Sequence, residues 1–211
     1  MKLIKQLLAA ATVAMATSTF AIAAEAPDAL VKRISNDVID TAKSDKDIQA
    51  GNRKKVMDLV ETKILPHVDF MRMTQQAAGP HWRSATPEQQ KNLAAEFRTL
   101  LIFTYSGALS QIKNETVDFK PMRASAEDKE VEVRSSVNVA RGEPVTLNYR
   151  LAKGTDGNWK IYDINVLGAW LVETYKGTFA TEINKSGVDG LIKTLSERNK
   201  KLASAPIKPA K

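Results

Sequence analysis

The 211-residue chain carries few residues able to do chemistry: two histidines and no cysteine. His67 stands in His67-Val68-Asp69, a possible pair of metal ligands, but a metal site needs three or four convergent donors and no further His or Cys motif supplies them. His67 therefore reads as a histidine near a helix start, and His81, beside Trp82 and Arg83, as part of a loop-to-helix bridge. The lack of cysteine excludes thiol catalysis, iron–sulfur clusters and Cys-type zinc sites. No serine sits in a G-x-S-x-G setting, so the nucleophile elbow of lipases is absent. A Ser, His and acid triad assembled from distant segments leaves no local signature, and an exported lipid or ester hydrolase stays open as an alternative. Asp163, next to Tyr162 in an apolar strand, is a candidate buried carboxylate. The structural reading pairs it with neighbouring backbone or with Arg150 on the adjacent strand. No glycine-rich phosphate loop precedes a helix, and the lysines form no run interleaved with aromatics, so nucleic acid is not an expected partner.

What the chain has instead of reactive groups is a concentration of apolar and aromatic side chains. The stretch Trp159 to Phe179, WKIYDINVLGAWLVETYKGTF, holds two tryptophans, two tyrosines and a phenylalanine, and passes from a strand through Gly168 into an amphipathic helix with almost no loop between. Such a junction points to binding.

The elements that position it follow from hydrophobic period. Residues 1–23 have the layout of a secretory signal peptide: Lys2 and Lys5, an apolar run from Leu7 to Ala16, and small residues up to a cut after Ala23. The run is shorter than the ~20 residues of a spanning helix. Removing the leader lowers the formal charge of +7 by two. Residues 24–203 then form one domain stabilised by its core, and 204–211 a disordered tail rich in proline and lysine.

Helical spacing runs through Leu30, Val31, Ile34, Val38 and Ala42, and again through Val56, Leu59, Val60 and Ile64, ending before Pro66. A shorter helix spans His67 to Ala78 and stops at Gly79-Pro80. Thr86-Pro87-Glu88-Gln89 is a helix start with a capping box, and its helix runs to about Leu109 with an apolar second half. The period then changes to two. Strands are expected at Val117 and Phe119, at Val131 to Val139, at Val145 to Leu151 and at Trp159 to Val166, joined as hairpins by Arg141-Gly142-Glu143 and Gly154 to Gly157. Two helices close the chain, one carrying Leu171, Val172, Tyr175 and Phe179, the other following Gly187.

The fold class is α+β: a curved four-stranded antiparallel sheet covered on one face by several helices and enclosing an apolar pocket. Its expected walls are Phe97, Leu101, Phe103 and Tyr105 from one helix, and Phe119, Val133, Val137, Leu147, Tyr149, Ile164 and Val166 from the sheet. Trp170, Leu171, Val172, Tyr175 and Phe179 complete them. An envelope scaffold or chaperone-like protein using the same sheet as a docking face is the alternative binding function.

The blocks DFMRMTQQAAGPHWRSATPEQQKNLAAEFRTLLIFTYSGAL (69–109), WKIYDINVLGAWLVETYKGTFATEI (159–183) and GVDGLIKTL (187–195) resemble, in order and spacing, the MlaC or toluene-tolerance family of periplasmic phospholipid-binding proteins. The family pattern after the fourth strand is matched at Tyr162, Asp163, Val166, Gly168, Leu171, Val172, Tyr175 and Phe179. Leu167 stands where an acid is usual, Trp170 where serine is usual and Lys176 where arginine is usual. The resemblance implies a non-enzymatic carrier in the periplasm of a Gram-negative bacterium, with no cofactor or metal and phospholipid as its cargo. Its implied partners are an outer-membrane lipoprotein–porin complex and an inner-membrane ABC transporter bearing MCE domains, in a pathway that maintains outer-membrane lipid asymmetry. Docking would open the pocket by moving a helix, with the hinge near Gly168 or Gly79-Pro80.

Overall fold

The computed structural model describes residues 25–122, 125, 127–139 and 142–205. The leader 1–23, Arg141 of the first hairpin turn and the last six residues of the tail lie outside the described residues.

Helix α1, Pro27–Ser44, buries its expected stripe of Leu30, Val31, Ile34, Val38 and Ala42. A single turn, α2 (Lys46–Gln49), is capped by Asp45 and leads to α3, Arg53–Leu59, which is capped by Asn52. From there the chain widens into a π turn, Val60–Ile64, and tightens into a 3-10 turn around Pro66. Helix α4 is shorter than its apolar pattern suggests, Phe70–Ala78, because Asp69 caps it by accepting the Arg72 N–H. In α5, Pro87–Tyr105, both halves of the Thr86/Gln89 capping box form, and the chain continues as a 3-10 turn, Ser106–Gln111.

The sheet has five strands where four were expected: β1 (Thr116–Phe119), β2 (Glu130–Asn138), β3 (Val145–Lys153), β4 (Trp159–Val166) and β5 (Ala169–Trp170), paired antiparallel in sequence order. The extra strand arises at the Leu167-Gly168 turn. Both residues have positive φ, 54° and 88°, the twist of a two-residue hairpin that folds the chain back on itself. Ala169 and Trp170 therefore pair with Val166 and Asn165 before the helix begins. Strand β4 also holds a bulge. Arg150 lies opposite Asp163 but Leu151 lies opposite Ile161, so Tyr162 is an extra residue. The bulge lets Ile161 and Ile164, three apart, share the inner face with Tyr149 and Leu151.

The last helix, α6, runs Leu171–Ser204 with a break at Gly187, whose φ of 72° and ψ of 179° separate the two expected helices. Burial divides into two cores. One lies among α4, α5 and α6 around Met73, Phe97, Leu100, Tyr175, Phe179 and Leu191. The other lies between α1–α3 and the inner face of the sheet, around Ile34, Val56, Val133, Tyr149, Leu151 and Trp159. The outer face of the sheet is polar: Arg134 pairs with Glu132 at 2.9 Å and Asn138 donates to Asp118 at 2.8 Å. Among the described residues no helix is long and apolar enough to cross a membrane.

Candidate functional site

The two cores do not meet flush. Along their seam lie two apolar cavities of about 240 and 280 Å³ whose walls share Ile64, Val68, Leu109, Leu147 and Ile164. The first is closed by Val31, Ile34, Val38 and Ile39 of α1 against Val117, Val137, Tyr149 and Ile161 of the sheet. Its polar groups are Ser35, Glu115 and the Tyr149 hydroxyl, and Tyr149, itself buried, hydrogen-bonds with Ser35 and Ser135. The second is walled by Phe70 and Met73 of α4, Leu101, Ile102 and Tyr105 of α5, Val166 of β4 and Leu171 of α6. Burial pushes the Tyr105 hydroxyl up to about 12, with the Tyr175 hydroxyl, its hydrogen-bond partner, adding to the shift. Each cavity, or lobe, alone falls below the ~300 Å³ at which small-molecule pockets begin; the two together exceed it.

The sixteen residues expected on the walls separate into two groups. Leu101, Tyr105, Val137, Leu147, Tyr149, Ile164, Val166 and Leu171 line one or both lobes. The other eight lie outside them. Phe97 packs edge-on against Tyr175 and Phe179, each with ring centroids 4.9 Å away, inside the helical core. Val133 is fully buried in the sheet core, with Phe119 at its margin. Phe103 carries the Arg53 guanidinium at 5.6 Å. Val172 faces an open groove of about 970 Å³ between α4 and α6, lined by Asp69, Arg72, Gln75, Gln76, Arg83, Glu173 and Lys176. Trp170 belongs to the outer face of the sheet, where Arg150 lies 3.8 Å over its ring. Of the lining that the expected walls missed, Val31, Ile34, Val38 and Ile64 stood in the sequence on apolar helix faces, whereas Ile39, Val68 and Leu109 belonged to no expected face.

The groups with chemical potential are occupied structurally. Asp163 is wholly buried; its Oδ2 lies 3.3 Å from Arg150 and its Oδ1 accepts the N–H groups of Ile164 and Val172 at 2.9 and 3.1 Å. Burial raises its carboxyl above the usual range, against the pull of these partners. Burial also lowers His67, and Arg33 and Lys160 add to that shift. Among the described residues no three His, Cys, Asp or Glu side chains converge as metal ligands. Glu130, held by the Tyr162 hydroxyl at 2.9 Å and by Arg72, which lies 4.3 Å over the Tyr162 ring, is pulled below the ordinary range first by that hydroxyl.

A family model described as MlaC protein matches residues 32–197. The chain belongs to the MlaC family. Two curated members lie at lower identity: the intermembrane phospholipid transport system binding protein MlaC of Haemophilus influenzae, 26% identical over 76% of this chain and 77% of that one, and the toluene tolerance protein ttg2D of Pseudomonas putida, 24% identical over 80% and 78%. Among solved structures, a phospholipid-binding protein from Ralstonia solanacearum, determined in complex with a phospholipid, is 52% identical. It aligns with a TM-score of 0.78 over 84% of this chain and 98% of its own.

Proposed function

We propose that this MlaC-family protein is a periplasmic phospholipid carrier that buries acyl chains in the two-lobed space between its cores and leaves the head group at the mouth. The observation that carries the reading is the lining of that space, apolar except for a few hydroxyls and Glu115. It is supported by the 52% identity to a protein solved with a phospholipid. Each methylene removed from water contributes about 0.8 kcal/mol, so a dozen of them supply about 10 kcal/mol. Affinity set by the tails needs no strict head-group contact, and several phospholipid classes should be accepted. The same affinity makes unaided release slow. Docking to an outer-membrane lipoprotein–porin complex and to an inner-membrane ABC transporter bearing MCE domains would bias an open form, with bending near Gly168 or Gly79-Pro80. The carrier uses no catalysis.

Native mass spectrometry of protein expressed with its leader in a Gram-negative host tests the reading. The expected species carries bound phospholipid that organic solvent extracts and lipid analysis identifies. A protein always free of lipid under gentle ionisation refutes the carrier and favours an envelope scaffold.

A further inference from the structure

Helix α6 starts against the back of the cavity wall, yet Trp170, the residue before it, offers no side-chain cap. Asp163 supplies one from the sheet. Its Oδ1 takes both the Val172 N–H at the helix start and the Ile164 N–H of its own strand. Ile164 lines both lobes, and Leu171, next to Val172, lines the larger. One carboxylate oxygen therefore sets the spacing between the strand wall and the helix wall. The other oxygen faces Arg150, and the same guanidinium lies on the Trp170 ring. Asp163, Arg150, Trp170 and the Val172 N–H thus form a closed circuit behind the wall that Ile164 and Leu171 present to the lobes.

We infer that this circuit is a latch: Arg150 and Trp170 hold the start of α6 on β4, and its opening sets the rate at which lipid enters and leaves. The inference rests on the carrier reading. Moving Leu171 away from Ile164 separates Val172 from Asp163 and lifts Trp170 off Arg150, so the latch must break whenever this wall parts. Its outer half is within reach of solvent: the Arg150 side chain is 36% exposed, while Asp163 beneath it is 0% exposed. A stacked cation at a partly exposed site is a weak bond by protein standards, which suits a clasp that opens often.

The test uses the purified mature protein and unilamellar vesicles of phosphatidylethanolamine and phosphatidylglycerol containing a pyrene-labelled phosphatidylglycerol. Loading and release rates and equilibrium occupancy are compared for wild type, Trp170→Ser and the conservative control Trp170→Phe. Trp170→Ser should speed loading and release together, by about two- to fivefold, with occupancy unchanged, and Trp170→Phe should restore most of the wild-type rate. A loss of melting temperature with both rates unaltered overturns the latch and leaves Trp170 a packing residue. A faster release without faster loading also overturns it, since Trp170 then acts on affinity. Wild-type protein that exchanges no phospholipid at all overturns the carrier reading on which the inference stands.

Discussion

Leu147→Asn separates the cavity from the cores around it. Leu147 lines both lobes and is only partly buried, so an amide there stays within reach of solvent in the lipid-free protein but faces methylenes when a chain is bound. Leaving an amide without a partner costs about 1–3 kcal/mol, which is about a five- to 150-fold loss of affinity. Phe97→Ala is the matched opposite. Phe97 is fully buried, outside the lobes, and lies edge-on to two rings; its removal costs about 3–5 kcal/mol of folding stability. Occupancy is read by native mass spectrometry after equilibration with vesicles, and stability by urea unfolding. Leu147→Asn should lose occupancy with a small change in stability, and Phe97→Ala the reverse among the molecules that remain folded. If Leu147→Asn carries as much phospholipid as wild type, the seam is not where the chains lie.

Other perturbations follow from single contacts. All four tyrosines of the chain resist ionisation, chiefly through burial, with Tyr105 pushed up to about 12. Their neutral form is favoured in the folded state, so that stability is fully present below about pH 10, the unfolded value, and is lost as pH rises through the folded values. Absorbance at the tyrosinate band should thus rise in one step with unfolding rather than near pH 10. Asp163→Ala removes the remote cap of α6 and should lower urea stability by about 2 kcal/mol, with Asp163→Asn costing less because one acceptor remains. Leu167 is 66% exposed with φ of 54°; Leu167→Asn suits that backbone and should add about 0.5–1 kcal/mol in a thermal melt. Arg53 donates to the carbonyls of Leu202 and Ala205 at the end of α6 and stacks on Phe103, so Arg53→Ala should speed amide exchange in the last turn of α6 and leave the first turn unchanged.

The helices and most strands were legible because their signals are local. The Thr86 capping box, the stripe of α1 and the alternation in β2 and β3 depend on neighbours a few residues away, and the pairing of Asp163 with Arg150 followed from their places on adjacent strands. The fifth strand was not legible because a leucine in the left-handed region carries no turn signal of its own. The bulge at Tyr162 was hidden for a related reason: Ile161 and Ile164 stand three apart, and only the register with β3 shows that both face inward. Periodicity marks which side chains leave the solvent but not what they then meet. Phe97, Tyr175 and Phe179 meet one another, while Ile34, Val38 and Leu147 meet a space.

That bulge is also a place where this strand can change its length over time. Deleting the extra residue, Tyr162, would leave Ile161 opposite Leu151 and Asp163 opposite Arg150, whereas inserting one residue between Asp163 and Ile164 would turn Asn165 toward the lobes and Ile164 and Val166 toward water. Substitutions along β4 can accumulate one by one, whereas a change in its length away from the bulge inverts half of a wall at a stroke. Homologues in which β4 keeps its inner residues should therefore tolerate loss of the bulge residue between Ile161 and Asp163 and keep the count from Asp163 to Val166 fixed.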